Sequence, residues 1–166
     1  LERDRDVDFS YGLTHARFRG NVFYRQGVAS IALRLIPKAI RTLTELNLPP
    51  VLESFSRKPQ GFFLVVGPIG QGKTTTLASL IEMINQSRTE HIMTIEDPIE
   101  YLFESKKSII DQREVRIDTP DFSSALTAMF RQDIDVCMVG EMRDATTIST
   151  AVTAAETGHL VFSTLH

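Results

Sequence analysis

The sequence has a single cysteine, no long apolar run and no excess of basic residues. Cys137 stands between two apolar residues, which is typical of a buried strand thiol rather than of a metal ligand or half of a disulfide, and it fits a reducing compartment. No apolar run approaches the roughly 20 residues that a membrane-spanning helix requires. The charged N-terminus also lacks the pattern of a signal peptide. We therefore expect the chain to meet a membrane only through partner proteins.

The charge balance argues against nucleic acid as a partner. The 18 lysine and arginine residues are outnumbered by 21 aspartate and glutamate residues, which gives a formal net charge of -3, and the basic residues are scattered along the chain. A nucleic-acid backbone would be bound by a basic stripe or patch. Apolar residues make up 42% of the chain, which is ordinary for a globular protein. The composition therefore predicts a folded chain that does not bind nucleic acid.

The pattern of apolar residues divides the chain into two parts. Residues 16–36 form two runs in which apolar and polar side chains partly alternate, with Gln26 and Gly27 as a turn between them, and this predicts an antiparallel ribbon. The prolines after the ribbon predict a connector with a short helix. The expected domains are the end of a smaller N-terminal domain over residues 1–45, a linker with a short helix over 46–60 and a second, larger domain over 61–166.

After Gly61, short apolar runs alternate with helical periodicity, which predicts an α/β domain with a parallel sheet covered by helices. The expected elements are strands over 62–66, 91–95, 136–139 and 160–163, and helices that begin near Lys73, Phe122 and Ala145. In the last helix we expect Asp144 as the N-cap and Gly158 as the left-handed residue after the C-terminus. The expected apolar stripe of that helix consists of Ile148, Ala151, Val152 and Ala155.

A glycine-rich segment with P-loop spacing lies between the first of these strands and the first helix. It consists of Gly67, Pro68, Ile69, Gly70, Gln71, Gly72, Lys73 and Thr74. The glycines let consecutive backbone N–H groups point at phosphate oxygens, and the helix adds its positive end. We expect Lys73 to reach the β- and γ-phosphates, Thr74 to give its hydroxyl to Mg²⁺, and Thr75 to serve the α-phosphate or only the first helical turn. The segment predicts binding of ATP with Mg²⁺, and no residue identifies the base.

Acidic side chains follow two other predicted strands, at the carboxyl edge of the sheet where the P-loop is also expected. The run over residues 94–100 contains three acids, not all of which can face a nucleotide, and Pro98 locks the turn so that they project from this edge. Glu141 follows the strand 136–139 in the arrangement of a Walker B element, and we expect it to contact Mg²⁺ through water. Acids placed in this way can orient or deprotonate an attacking water. An extra strand between the P-loop strand and the Walker B strand favours a RecA-like core over a simple nucleotide kinase.

Two of the four histidines flank the last predicted strand. His166 follows it and would emerge at the carboxyl edge, where a γ-phosphate sensor could sit, although a lone histidine is usually only a polar surface residue. His159 precedes the same strand and is expected at the opposite edge. We interpret His159, His15 and His91 as structural.

Four motifs occur along the chain in a fixed order. They are a Walker A loop from Gly67, an Asp box over 94–100, a Walker B run that ends in 140–144 and a His box over 157–166. With these motifs nearly the whole chain resembles the secretion ATPase superfamily of type II secretion and type IV pili, most closely the PilT-like retraction ATPases of twitching motility. The segments 104–108 and 112–115 are similar to the retraction branch rather than to the extension branch.

The resemblance implies a fold and an assembly. It implies a RecA-like P-loop NTPase core preceded by the antiparallel end of a smaller PAS-like N-terminal domain, with the C-terminal part of the ATPase domain missing from this sequence. In this family six subunits form a ring at the cytoplasmic face of the inner membrane and act on the pilus platform protein to depolymerise pilin. We therefore expect a homo-hexamer, a cytoplasmic location at the inner membrane face, and the platform protein as partner.

The resemblance also assigns roles to individual residues. Glu100 and Glu141 match the catalytic pair of the family, and His166 matches the histidine that closes the His box. Arginines of the preceding domain, here Arg17, Arg19 or Arg34, can approach the nucleotide in that family. A solvated strand face is an equally good interpretation of those arginines.

The sequence departs from the family pattern in the P-loop, where Ile69 and Gln71 replace the usual threonine and serine. Both positions bind through backbone N–H groups, so the cradle is expected to be intact. Ile134 replaces a common proline just before the Walker B strand. Two alternatives to a retraction motor stay open: an extension or secretion ATPase of the same superfamily, and a nucleotide-binding regulatory subunit that switches without turnover.

Overall fold

The computed structural model describes residues 6–13, 16–36 and 39–165. The chain divides into two compact units, Leu1–Ala39 and Ile40–His166. The domain limits that the sequence predicts at residues 45 and 60 remain predictions. Within the described residues, every helix falls short of the length and apolarity that crossing a membrane requires.

The first unit is an antiparallel sheet in the order β1-β2-β3. Its strands are β1 (Asp6–Leu13), β2 (Ala16–Arg25) and β3 (Val28–Ile36). The predicted ribbon over 16–36 is confirmed as β2 and β3. Gln26 and Gly27 have φ angles of 50° and 79°, the left-handed values that a two-residue hairpin turn requires. The prediction of two strands overlooked β1, although apolar and polar residues alternate along it in the same way.

The two faces of this antiparallel sheet differ in polarity. One face includes Val7, Phe9, Tyr11, Phe18, Gly20, Val22, Ile31, Leu33 and Leu35. Gly20 lies opposite Phe9 and leaves room for its ring, since a Cβ at Gly20 would lie 2.1 Å from the end of that ring. Arg19 and Arg34 lie opposite each other on the other face. The sheet is therefore amphipathic.

The second unit is a parallel sheet in the order β4-β8-β7-β5-β6, flanked by helices. Its strands are β4 (Gly61–Val66), β5 (His91–Glu96), β6 (Ile109–Glu114), β7 (Val136–Val139) and β8 (Leu160–Leu165). Its helices are a 3-10 turn (Pro50–Leu52), α1 (Glu53–Ser56), α2 (Lys73–Ser87), α3 (Phe122–Met129) and α4 (Ala145–Glu156). Every predicted strand and helix is confirmed, and β8 supplies the extra strand between the P-loop strand and the Walker B strand. The sequence analysis missed β6, an edge strand that is mostly polar.

The central strands β5, β7 and β8 are buried on both faces, because alternate residues point to opposite sides of the sheet and both sides are covered. Along β5, Ile92 packs with the layer of α2, whereas Met93 and Ile95 pack with the layer of α3 and α4. In α2 the helical spacing of the apolar residues predicts one buried stripe, and this is confirmed, since Leu77, Leu80, Ile81 and Ile84 are at most 1% exposed. Because the five strands are parallel, their carboxyl ends lie at one edge of the sheet.

The buried face of α4 differs from the predicted one. The residues that α4 buries are Thr147, Ala151, Ala154 and Ala155. Ile148 and Val152 from the predicted stripe are 38% and 37% exposed. Small side chains let the helix approach the sheet closely, so burial here follows side-chain size rather than hydrophobicity. The predicted end signals hold: the Asp144 side chain accepts from the Thr147 N–H at 2.8 Å, and Gly158 has a φ of 115°.

Strand β5 ends in a buried carboxyl group. Glu96 is 2% exposed. Its Oε1 atom accepts hydrogen bonds from Thr94 Oγ1 at 2.6 Å and Gln112 Nε2 at 3.2 Å, and its Oε2 atom accepts the backbone N–H of Glu100 at 3.3 Å. Burial raises the pKa of Glu96 to about 7, against the opposing effect of these hydrogen bonds. The side chain therefore ties β5 both to β6 and to the loop that follows β5.

Replacing Phe162 with alanine tests the core on the α2 side of the sheet. This side chain is fully buried, and its ring packs edge-on against Phe63 with a centroid distance of 5.7 Å. We expect the variant to lose about 3 to 5 kcal/mol of unfolding free energy, measured by urea denaturation followed by circular dichroism. Phe62→Ala is the matched control, because Phe62 lies on strand β4 and is 38% exposed. An equal loss in both variants would contradict this description of the core.

Glu96 also predicts a pH dependence of stability. Between about pH 4.5 and pH 7 the folded chain keeps a proton on Glu96 that the unfolded chain releases, so the unfolding free energy contributed by this group falls as the pH rises through that window. The fall should approach about 3 kcal/mol and level off at higher pH. In Glu96→Gln, where an amide replaces the protonated carboxyl group, urea denaturation across this range should show a shallower fall than in wild type. Glu156→Gln, at an exposed position of α4, should keep the wild-type slope.

Candidate functional site

The P-loop joins the end of β4 to the start of α2. Gly70 and Gly72 have φ angles of 81° and 79°, a backbone conformation that favours glycine. Gly72 is the N-cap residue, and among the described residues no side chain caps this helix end. A helix start without a capping side chain, behind a glycine-rich loop, is the arrangement in which backbone N–H groups can bind an anion. Ile69, at one of the positions that depart from the family pattern, is 83% exposed.

Lys73 extends back over the loop that precedes it. Its Nζ atom donates hydrogen bonds to the carbonyl oxygens of Gly67 at 2.7 Å and Pro68 at 3.0 Å, and the residue is 8% exposed. An ammonium group held over the loop in this way can exchange carbonyl oxygens for phosphate oxygens with a small movement. Thr74 and Thr75 follow in the first turn of α2 and are partly exposed. The lysine and both threonines thus lie where the sequence predicts a phosphate site.

The carboxyl ends of four neighbouring strands are joined by hydrogen bonds beyond the strands themselves. The Gly67 N–H donates to the Leu165 carbonyl at 3.3 Å, which ties the start of the P-loop to β8. The Thr164 hydroxyl donates to the Gly140 carbonyl at 2.7 Å, which ties β8 to the end of β7. The Gly140 N–H in turn donates to the Ile95 carbonyl at 2.8 Å, which ties β7 to β5. The P-loop, the Walker B end and the Asp box are therefore held along one continuous edge.

Glu141 follows Gly140 directly at this edge. Its carboxylate pairs with Arg143 at 2.5 Å, and the Glu141 side chain is 13% exposed. Gly140 itself fits closely against β5, because a Cβ at this position would lie 3.3 Å from the Ile95 carbonyl oxygen and 3.5 Å from Glu96 Cα. A larger residue would push the ends of β7 and β5 apart. The glycine therefore brings Glu141 next to the loop that carries the other acids.

The three acids of the Asp box have different environments. Glu96 is buried at the end of β5. Asp97 pairs with Arg116 at 3.3 Å. Glu100 is half-buried, donates its backbone N–H to Glu96, and lies near enough for its charge to contribute to the raised pKa of Glu96. Among the described residues, Glu100 is thus the acid of this run that stays partly exposed and forms no ion pair with an arginine.

Two residues that the sequence analysis did not single out connect these parts. The Tyr101 hydroxyl lies 3.0 Å from Thr75 Oγ1, in the first turn of α2. Gln112, on β6, donates its amide N–H to the Tyr101 carbonyl at 2.8 Å and to Glu96. These partners are 26, 11 and 16 positions apart in the sequence. Short-range patterns could not have revealed them.

Other predicted site residues are placed elsewhere or not described. His166 lies outside the described residues, as does the side chain of Arg17. Arg19 and Arg34 belong to the antiparallel sheet of the first unit. Their contact with a nucleotide remains a prediction.

Two of the histidines that we interpreted as structural have clear partners. His91 lies at the start of β5, and its Nε2 atom is 2.8 Å from the carboxylate of Asp111 on β6. The sequence did not show this partner. His159 Nδ1 lies 3.0 Å from the Ala154 carbonyl oxygen, and its ring packs edge-on against Phe130. Both histidines lie at the amino ends of their strands, away from the P-loop edge. Their structural interpretation is consistent with these contacts.

A cleft of about 500 Å³ opens beside the acidic end of this edge. Its walls include Asp97, Arg116 and Arg143 together with the first turns of α3 and α4. Each of these helices is capped by its own aspartate: Asp121 accepts from Ser124 N–H at 2.7 Å, and Asp144 caps α4. The helix ends that face the cleft are therefore already satisfied, in contrast to the N-terminus of α2.

Comparison with known proteins identifies the family to which this chain is similar. The profile described as type II/IV secretion system protein matches residues 13–166. The chain is 49% identical to the twitching motility protein of Neisseria gonorrhoeae, an alignment that covers 99% of this chain and 44% of the relative. It is also 49% identical to the type IV pilus retraction ATPase PilT of Pseudomonas aeruginosa, with 100% of this chain and 48% of the relative covered. The chain thus spans about half the length of these curated relatives.

Solved structures show the same similarity in three dimensions. The structure of the pilus retraction motor PilT with bound ADP superposes with a TM-score of 0.97 at 53% identity and covers 100% of this chain and 49% of that one. The Legionella pneumophila ATPase DotB superposes with a TM-score of 0.86 at 32% identity, with the same two coverages. The α/β fold class, with its parallel P-loop sheet and separate antiparallel sheet, is confirmed. On the family profile and on these relatives, the chain belongs to the type II/IV secretion system protein family.

Proposed function

We propose that this chain is the nucleotide-binding part of a hexameric ATPase that hydrolyses ATP to power retraction of a type IV pilus. The observation that carries the proposal is the shared edge on which Lys73 covers the P-loop while Glu100 and Glu141 follow neighbouring strands. Binding of a triphosphate and activation of water require both sets of groups close together. A nucleotide ligand is supported by the relatives that are named as ATPases and by the PilT structure with bound ADP.

The P-loop side of the site would bind the phosphates. The backbone N–H groups from Ile69 to Thr75 would surround the phosphate oxygens, with Gly67 and Pro68 shaping the start of the loop, and Lys73 would contribute positive charge at the β- and γ-phosphates. Glycine at positions 70 and 72 permits this backbone path. The cradle depends on main-chain groups at Ile69 and Gln71, so the departures at these two positions leave it unchanged.

The described residues also fit a magnesium ion that is bound mainly through the nucleotide. Among them, no cluster of three or more histidine, cysteine, aspartate or glutamate side chains forms a metal site of its own. Mg²⁺ is ordinarily held by one or two protein groups with phosphates and waters, and Thr74 with Glu141 is such a sparse donor set. When bound, the ion would neutralise charge on the phosphates.

The acidic side of the site would act on water. Glu100 and Glu141 emerge from the ends of adjacent strands, β5 and β7, whose ends are fixed to each other at Gly140. In this proposal they orient the attacking water and accept its proton, and His166 senses the γ-phosphate. Arginines of the antiparallel sheet, such as Arg19, would complete the site in the assembled ring.

We choose pilus retraction over secretion because the relatives named for twitching motility and pilus retraction align over more of this chain. The twitching motility protein and the retraction ATPase PilT align over 99% and 100% of it. The type II secretion system protein E of Pseudomonas aeruginosa aligns over 82% of it at 44% identity. We propose that the ring acts at the cytoplasmic face of the inner membrane on the pilus platform protein. An extension or secretion ATPase would share this chemistry and differ in that partner.

Replacing Lys73 with alanine should weaken nucleotide binding. The change removes the ammonium group over the loop and leaves the backbone path intact, so ATP affinity should fall by at least about tenfold to a hundredfold. Binding of a fluorescent ATP analogue to the full-length protein measures this loss. Lys107→Ala removes an equal charge from an exposed position after α2 and should bind as wild type does. Equal affinity of the Lys73 variant and wild type would rule out the proposed phosphate site.

Replacing Glu141 with glutamine should separate binding from turnover. The amide keeps the size of the side chain but cannot accept a proton, so kcat should fall by about two to four orders of magnitude while ATP is still bound. Phosphate release by the assembled ring measures turnover, and Glu104→Gln at an exposed position is the control. Unchanged turnover would refute the role of Glu141. Binding without turnover in wild type would instead favour a regulatory subunit.

A further inference from the structure

Tyr101 makes a direct side-chain contact between the Asp box and the P-loop helix. Its hydroxyl lies 3.0 Å from the hydroxyl of Thr75, in the first turn of α2. The same residue immediately follows Glu100 in the chain. The Tyr101 side chain therefore joins the helix turn that we expect to bind phosphate to the loop that we expect to act on water.

The other end of this loop is anchored by Gln112. Its Nε2 atom donates to the Tyr101 carbonyl at 2.8 Å and to Glu96 Oε1 at 3.2 Å, while its Oε1 atom accepts the Phe103 N–H at 2.9 Å. Gln112 lies on β6, directly opposite Thr94 on β5 in the strand register. The loop over residues 97–103 is thus fixed to the sheet through Gln112, and the Tyr101 hydroxyl extends from it to Thr75 on α2.

The number of protons on the two hydroxyl groups decides which of them donates the hydrogen bond. A threonine hydroxyl has one proton to donate and can accept two hydrogen bonds, and a tyrosine hydroxyl behaves in the same way. If Thr75 donates its proton to a phosphate oxygen, the Tyr101 hydroxyl must be the donor to Thr75. Hydrogen bonds in such a chain strengthen one another, because each polarises the next. A phosphate at Thr75 therefore tightens the bond that holds Tyr101.

We infer that Tyr101 is a positioning residue that couples an occupied P-loop to the placement of Glu100, with Gln112 as the fixed anchor of the same loop. This inference rests on the proposed function. Tyr101 need not touch the reacting atoms, since it acts through the backbone of the residue beside it. Loss of its hydroxyl should leave the phosphate grip of Lys73 and the loop amides in place. The effect should therefore fall on kcat rather than on KM.

The test compares Tyr101→Phe with wild type in the full-length assembled protein. Removing one hydroxyl leaves the packing of the aromatic side chain intact. We therefore expect ATP binding within about twofold of wild type and a kcat that is roughly threefold to tenfold lower. Tyr24→Phe removes a hydroxyl from an exposed tyrosine of the antiparallel sheet and is the matched control. Thermal unfolding of each variant verifies that the fold is kept.

A double-mutant cycle with Thr75→Val assigns the effect to this contact. Valine keeps the shape of threonine and removes its hydroxyl, so Tyr101→Phe should lower kcat little further in the Thr75→Val background. Unchanged kcat in Tyr101→Phe, or fully additive losses in the cycle, would overturn the inference while wild-type turnover leaves the proposed function standing. Wild-type protein that binds or hydrolyses no ATP would overturn both, and this outcome is visible before any variant is made.

Discussion

The lateral hydrogen bonds that join the carboxyl ends of the central strands are the constraint on which the candidate site depends. They run from Gly67 through β8 to Gly140 and on to Ile95. Each of these bonds pairs a backbone group at the end of one strand with a neighbouring strand or loop. The same bonds fix the spacing between the loop that would hold phosphate and the acids that would act on water. Structural stability and the geometry of the site are therefore set by one set of contacts.

The buried carboxyl group of Glu96 shows how the site combines stability with chemistry. Burial of a carboxyl group is costly unless it is hydrogen-bonded or protonated. Here three donors from β5, β6 and the following loop surround it, and its pKa is raised to about 7. The nearby Glu100 is kept half-exposed. Neighbouring acids thus have different environments: Glu96 holds the loop, whereas Glu100 stays accessible for the role that the proposed function gives it.

The sequence predicted most of the second unit because its signals are local. Hydrophobic periodicity revealed α2 and the buried strands, and the glycine spacing revealed the P-loop. The predicted face of α4 was right at Ala151 and Ala155 and wrong at Ile148 and Val152, because that helix buries Thr147 and Ala154 in place of the two larger side chains. β6 was missed because an edge strand with the sequence IIDQRE carries no strong apolar signal. Gln112 and Tyr101 could not be predicted, since their roles depend on tertiary hydrogen bonds.

Cys137 lies at the centre of the parallel sheet, fully buried on β7, and burial raises its pKa to about 12. A thiol in this state reacts slowly with alkylating reagents while the chain is folded. It is also the only cysteine of the sequence. Spectroscopic labels can therefore be attached to a cysteine introduced on the surface without first removing the natural one. The rate at which Cys137 itself is labelled would then report how often the sheet opens around β7.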